Sequence, residues 1–229
     1  MNLTKHNMNF EFRLLPWMDG AEQISLLHGG KWANANVYLF CKENQCFVRK
    51  GFCLRSFMVR WTIGVFLTWR EVIALRRLSG VSGVPAKIQR CSPFSLRYQY
   101  LSGETISSMR NKKECLPKSY FLEAENLLTK IHKLKMVHLD LRRASNWIVQ
   151  QDGKPGIIDF QSMLSVSLLP RRLQEKLFYI DYSGLYKLWG KTCEEQLDPE
   201  RQALLDQVNR MRRYWIFKGY WLQKLWVKK

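Results

Sequence analysis

Residues Val137 to Gln161 read VHLDLRRASNWIVQQDGKPGIIDFQ, and this run constrains the chain more than any other. An Asp stands two residues after a His, an Asn six residues after that Asp, and a second Asp inside the apolar run Ile157-Ile158-Asp159-Phe160. Asp152-Gly153 is a hairpin-turn pair, flanked by the short β-prone runs Trp147-Ile148-Val149 and Gly156-Ile157-Ile158. Such a hairpin carries Asn146, just before its first strand, beside Asp159, at the end of its second. Two oxygen donors presented together suit Mg²⁺, which takes one or two protein ligands and completes its shell with substrate phosphates. Asp140, just upstream, is free to orient a hydroxyl. The layout suits phosphoryl transfer.

The segment resembles the catalytic loop and metal-binding motif of the protein-kinase-like superfamily, H-x-D-L-x-x-x-N followed by D-F-G. Here they stand as His138-Leu139-Asp140-Leu141 with Asn146, and as Asp159-Phe160-Gln161. The resemblance implies ATP with Mg²⁺ or Mn²⁺ as cofactors, Asp140 aiming the nucleophile, and Asn146 and Asp159 as metal ligands. It also implies Arg142 as the cation that neutralises the transferred phosphoryl group, with Arg143 as its competitor. His138 and His132 fall where the family has bracing residues. Two departures stand out: the Asn is sixth after the Asp rather than fifth, where Ser145 stands, and the Gly of D-F-G is Gln161.

Upstream signals arrive in the order this resemblance requires. Gly30-Lys31-Trp32-Ala33-Asn34-Ala35-Asn36-Val37 resembles the phosphate-covering glycine loop, with one of its three glycines in place. Lys50, thirteen residues after Val37, resembles the strand lysine that holds nucleotide phosphates, and Glu71 stands where its carboxylate partner is expected. Arg49 and Arg70 are rivals for those two roles. Tyr98-Gln99-Tyr100-Leu101-Ser102-Gly103-Glu104 resembles the interlobe connection, which would put Tyr100 and Leu101 against adenine.

Downstream there is no Ala-Pro-Glu, and only some twenty residues separate Phe160 from Tyr179-Ile180-Asp181-Tyr182. The chain therefore is most similar to the compact branch of the superfamily: RIO-type kinases, lipopolysaccharide-core and Kdo kinases, and aminoglycoside phosphotransferases. Arg70-Glu71, Ala74-Leu75-Arg76-Arg77-Leu78-Ser79-Gly80 and Gly83-Val84-Pro85 look most like the lipopolysaccharide-kinase-like and RIO-like members. The implied fold is α+β, two-lobed and protein-kinase-like, without a long activation segment. Its parts are an N-terminal arm over 1–20, an antiparallel-sheet N-lobe over 21–100, and a mainly helical C-lobe over 101–229.

Local patterns agree with that division. Ile24 to Leu27, Val37 to Cys41, Cys46 to Val48 and Arg97 to Leu101 read as strands. Phe66 to Leu78 has helical spacing, with Val65, Trp69, Val72 or Ile73 and Arg76 on one stripe. A second helix is expected from Ser119, with Phe121, Ala124, Leu128 and Ile131 inward.

Charge narrows the partners. Lys and Arg number 37 against 19 Asp and Glu, so the net charge of +18 calls for an anionic partner beyond a nucleotide. The segment Arg210 to Lys229 carries seven basic residues, no acidic one, and Trp215, Trp221 and Trp226. Basic and aromatic side chains together suit a membrane interface. A membrane surface or a lipid-linked sugar is favoured over nucleic acid as that partner. The six cysteines show no C-x-x-C pair, and are expected to be reduced thiols in the cytoplasm. No stretch is long enough to span a bilayer, so a cytoplasmic protein, peripheral on the inner membrane, is expected. The acceptor hydroxyl would belong to a lipid-linked sugar such as lipopolysaccharide core, or to a protein Ser or Thr. A nucleotide-binding pseudokinase and a RIO-like RNA- or ribosome-associated factor are the other function classes.

Overall fold

The computed structural model describes residues 23–30 and 34–214. An antiparallel sheet comes first, built from β1 (Gln23–His28), β2 (Asn36–Lys42), β3 (Gln45–Gly51), β4 (Gln89–Ser92) and β5 (Ser95–Gln99), in the order β1-β2-β3-β5-β4. Between β3 and β4 runs one helical stretch: a short turn Phe57–Val59, a π turn Arg60–Gly64, and α1 (Val65–Arg77). After the sheet, β6 (Gly103–Thr105) pairs with β8 (Trp147–Gln150), which pairs with β9 (Pro155–Ile157). The remaining elements are α2 (Ile106–Asn111), α3 (Lys118–Lys133), β7 (Met136–Val137), β10 (Leu164–Ser165), α4 (Arg171–Thr192) and α5 (Pro199–Tyr214).

Strand alternation decides which side chains face the site. In β2–β3 the pairs Val37↔Lys50 and Leu39↔Val48 share one face, and Arg49 points to the other. There Arg49 donates to Ser95 Oγ at 3.0 Å, on the side of the sheet away from Lys50.

Helix α1 is rotated from the expected stripe. Gly64, Thr68, Glu71, Val72 and Leu75 are buried, whereas Trp69 and Ile73 face outward. The rotation follows from Glu71, which is fully buried against Lys50. In α3 the buried face is Tyr120, Phe121, Ala124, Leu127, Leu128 and Ile131, as its apolar spacing demands. Phe121 stacks on Trp189 of α4 at 5.1 Å, and one continuous core runs from Val48 and Leu75 through to Trp189 and Leu205.

Two expectations need correction or restriction. Cys41 and Cys46 form a disulfide rather than remaining thiols. They are directly opposed in the β2–β3 ladder with Cα atoms 4.1 Å apart, a pairing that depends on strand register and not on a C-x-x-C spacing. The other four cysteines are free. The arm over 1–20 and the tail beyond Tyr214 lie outside the described residues. No helix among those described is long and apolar enough to cross a membrane.

Candidate active site

The sheet and the helical region enclose a cleft of about 530 Å³. Val37, Val48 and Lys50 form one wall, Tyr98, Tyr100 and Leu101 the back, and Ile148, Asn146, Ile158 and Asp159 the floor. The two regions meet at the back wall. Tyr100 N–H donates to Cys46 O at 2.8 Å, and Leu101 packs so closely on Gly156 that a Cβ there would lie 2.3 Å from Leu101 Cδ2.

Lys50 spans the cleft. Its ammonium lies 3.2 Å from Glu71 Oε1 and 2.6 Å from Asp159 Oδ1. Burial alone would push the lysine pKa down, but the two carboxylates outweigh it and hold it well above its ordinary value. Burial likewise works against the Asp159 carboxylate, and Lys50 reverses the effect, so the Asp159 pKa is lowered. Asp159 adopts a left-handed backbone conformation, φ 64°, which carries the chain from β9 into the turn Phe160–Ser162. Phe160 is buried against His138, with ring centroids 5.2 Å apart.

The β8–β9 hairpin brings Asn146 and Asp159 to the same floor. Trp147 pairs with Ile157, and Ile158 N–H donates to Asn146 O at 3.0 Å, so the two side chains sit on adjacent strand ends. Asn146 Nδ2 donates to Asp140 O at 3.0 Å and Oδ2 at 3.3 Å, which holds the catalytic-loop Asp against the hairpin. Burial pushes the Asp140 pKa up, and Arg143 and Asn146 offset part of that rise.

The two arginines between Asp140 and Asn146 face different ways. Arg142 turns away from the cleft and donates to Ser183 Oγ at 3.4 Å and Asn209 Oδ1 at 3.0 Å, on α4 and α5. Arg143 lines the cleft, with Nε 3.3 Å from Asp140 Oδ2. Of the two, Arg143 and not Arg142 is therefore placed at the cleft. Gly30 is not among the cleft-lining residues. Its N–H donates to Asn36 Oδ1 and its carbonyl accepts from Arg55, while Asn34 and Ala35 face the cleft. Lys31, Trp32 and Ala33 lie outside the described residues.

Two supports were not picked out from the sequence. Asp181, fully buried on α4, accepts from His138 N–H and Leu139 N–H at 2.8 Å each and lies 3.1 Å from His132 Nε2. It fixes the loop that carries Asp140 to the helical core. Arg55 latches the turn before β2, and its signal is equally faint, a single basic residue in a loop. Arg70, offered as a rival to Glu71, instead donates to Ser162 O and Met163 O and ties α1 to the segment after Asp159.

No protein-family profile matches the sequence, and no curated protein is similar to it. Solved structures do match. The Rio2 kinase of Chaetomium thermophilum superposes with a TM-score of 0.60 over 90% of this chain and 69% of its own, at 14% identity. The chain has the protein-kinase-like fold. A second structure of that kinase, a complex with ADP/Mg²⁺ and phosphoaspartate, aligns with a TM-score of 0.59 and 13% identity, covering 90% of this chain and 67% of the other. Within that fold, Lys50–Glu71 joins β3 to α1, and Asp140, Asn146 and Asp159 stand on the loops that flank the β8–β9 hairpin. The kinase fold here reaches α4 eleven residues after Phe160, so its activation segment is short.

Proposed function

We propose that this protein is an ATP- and Mg²⁺-dependent phosphotransferase that delivers the γ-phosphate to a hydroxyl. The observation that carries the reading is Lys50, held between Glu71 and Asp159 in one cleft that also presents Asn146. A Lys–Glu pair and a neighbouring Asp–Asn pair, on a kinase fold, are the parts that position a nucleoside triphosphate. ADP and Mg²⁺ are named for the Rio2 complex, and the donors here suit the same ligands. Asn146 and Asp159 offer an amide and a carboxylate oxygen, hard ligands that suit Mg²⁺ when phosphates complete the shell. Bound there, Mg²⁺ with ATP supplies charge neutralisation on the phosphates and a reactive phosphoryl group.

The remaining roles fall to protein groups. Lys50 would bind phosphate oxygens, and Tyr100 and Leu101 would flank the base. Asp140 would accept the hydroxyl hydrogen bond and aim the oxygen, and Arg143 would face the transferred group.

For the acceptor, the charge of +18 supports an anionic molecule, with a lipid-linked sugar at a membrane face preferred over a protein Ser or Thr. A panel of phosphorylated glycolipid and Ser/Thr peptide acceptors, assayed with ATP and Mg²⁺, tests this preference. Turnover stimulated by glycolipids and lost in high salt supports it, and stimulation by neutral peptides alone refutes it.

A further inference from the structure

The outer face of the helical stretch Phe57 to Arg77 carries an unusual amount of uncovered apolar surface. Phe57, Met58, Trp61, Phe66, Trp69 and Ile73 are 68%, 75%, 49%, 53%, 50% and 43% exposed. A π turn, in which Val65 N–H reaches Arg60 O, interrupts the stretch, and Phe57 and Trp61 touch with ring centroids 6.2 Å apart. The added residue brings Trp61 and Phe66, five apart, into successive turns, and Trp69 and Ile73 continue the row at helical spacing. These are not spare core residues. The opposite face of the same helix is already filled by Thr68, Glu71, Val72 and Leu75, and a Cβ at Gly64 would lie 3.0 Å from Phe52.

The rim of this surface has one sign. Arg60 lies over the rings of Phe94 and Phe57, 5.0 and 6.0 Å from their centroids, Arg70 over Phe66 at 5.4 Å, and Arg76 and Arg77 close the C-terminal end. From Lys50 to Arg97 the sole acidic residue is Glu71, and it is buried. A contiguous apolar patch of this kind marks an interaction site. Tryptophan and phenylalanine bordered by arginine match a helix lying in the plane of a membrane interface.

We infer that this helix face docks on an anionic lipid bilayer, with the aromatic row in the headgroup boundary and the arginines against lipid phosphates. Charge selects this occupant over a second copy of the chain and over the C-terminal segment. A second copy docked face to face would set arginine against arginine, and the C-terminal segment from Arg210 has seven basic and no acidic residues. The inference is independent of phosphotransfer, because vesicle binding is read without turnover. Were both to hold, docking would act on the same helix that presents Glu71 to Lys50.

The test uses the full chain with vesicles of phosphatidylcholine alone or with about a third phosphatidylserine, and follows co-sedimentation and the peroxide oxidation of Met58 by mass spectrometry. The expected result is binding to the anionic vesicles at least tenfold tighter than to neutral ones, with Met58 oxidation slowed at least fivefold. The Trp61→Ser, Phe66→Ser, Trp69→Ser triple variant should lose binding at least tenfold. Full binding by that variant would place the anchor elsewhere and overturn the inference. So would Met58 that is already protected without lipid, whether independent of protein concentration, as when another segment of the chain covers the face, or dependent on it, as in self-association. Because oxidation is measured on the wild-type chain, it decides the matter even if the triple variant does not fold.

Discussion

Lys50 Nζ stands 2.6 Å from Asp159 Oδ1 and 3.2 Å from Glu71, so one buried ammonium joins the sheet, the helix α1 and the loop after β9. Removing it leaves Glu71 as an uncompensated buried carboxylate. Lys50→Met should therefore cost roughly 3–5 kcal/mol in urea unfolding, beyond any loss of turnover. The double variant Lys50→Met, Glu71→Leu should recover much of that stability. A Lys50→Met protein as stable as wild type would mean that the pair is not formed in solution.

In the proposed reaction Asp140 should set the acid limb of the pH profile. Its pKa is raised by burial, and only the ionised carboxylate accepts the hydroxyl proton. Turnover should fall as pH drops through a value above the ordinary carboxylate range of about 3.9. Arg143→Ala removes an opposing cation and should move that limb further up. A limb that stays in place in this variant would assign it to another group.

The two arginines of the catalytic loop should behave differently. Arg143→Ala should lower kcat by an order of magnitude or more, about 1.4 kcal/mol per tenfold, with melting temperature unchanged. Arg142→Ala should leave kcat near wild type and lower stability by about 1–2 kcal/mol through its lost bonds to Ser183 and Asn209. The reverse pattern would restore Arg142 to the site.

Asp181→Ala should be among the more damaging changes outside the cleft. It strips His138 N–H and Leu139 N–H of their acceptor in a buried position. A loss of about 3 kcal/mol is expected, with increased amide exchange at Leu139. Unchanged exchange there would show that the loop holds itself.

The site was legible in the sequence where chemistry depends on local spacing. Asn146 and Asp159 are joined by a hairpin whose turn, Asp152-Gly153, announces itself. Helix α3 was equally plain, since its apolar spacing matches its buried face. What was hidden depends on helix rotation, strand register or contacts distant in sequence. The stripe of α1 is turned because a buried Glu71 outweighs the pull of Trp69 inward. Cys41–Cys46 needs the β2–β3 register, and which of Arg142 and Arg143 faces the cleft depends on how the loop between Asp140 and Asn146 turns. Asp181 is 22 residues beyond Asp159, and no local pattern links it to the loop that it holds.

The most direct test of phosphoryl transfer follows label from the γ-phosphate of ATP in the presence of Mg²⁺. Wild-type protein should move the label to water, to itself or to an acceptor hydroxyl, and Asp159→Asn should reduce that rate by orders of magnitude while keeping the fold. Wild-type protein that binds ATP with Mg²⁺ yet leaves the label on the nucleotide, at the same rate as Asp159→Asn, would contradict the assignment.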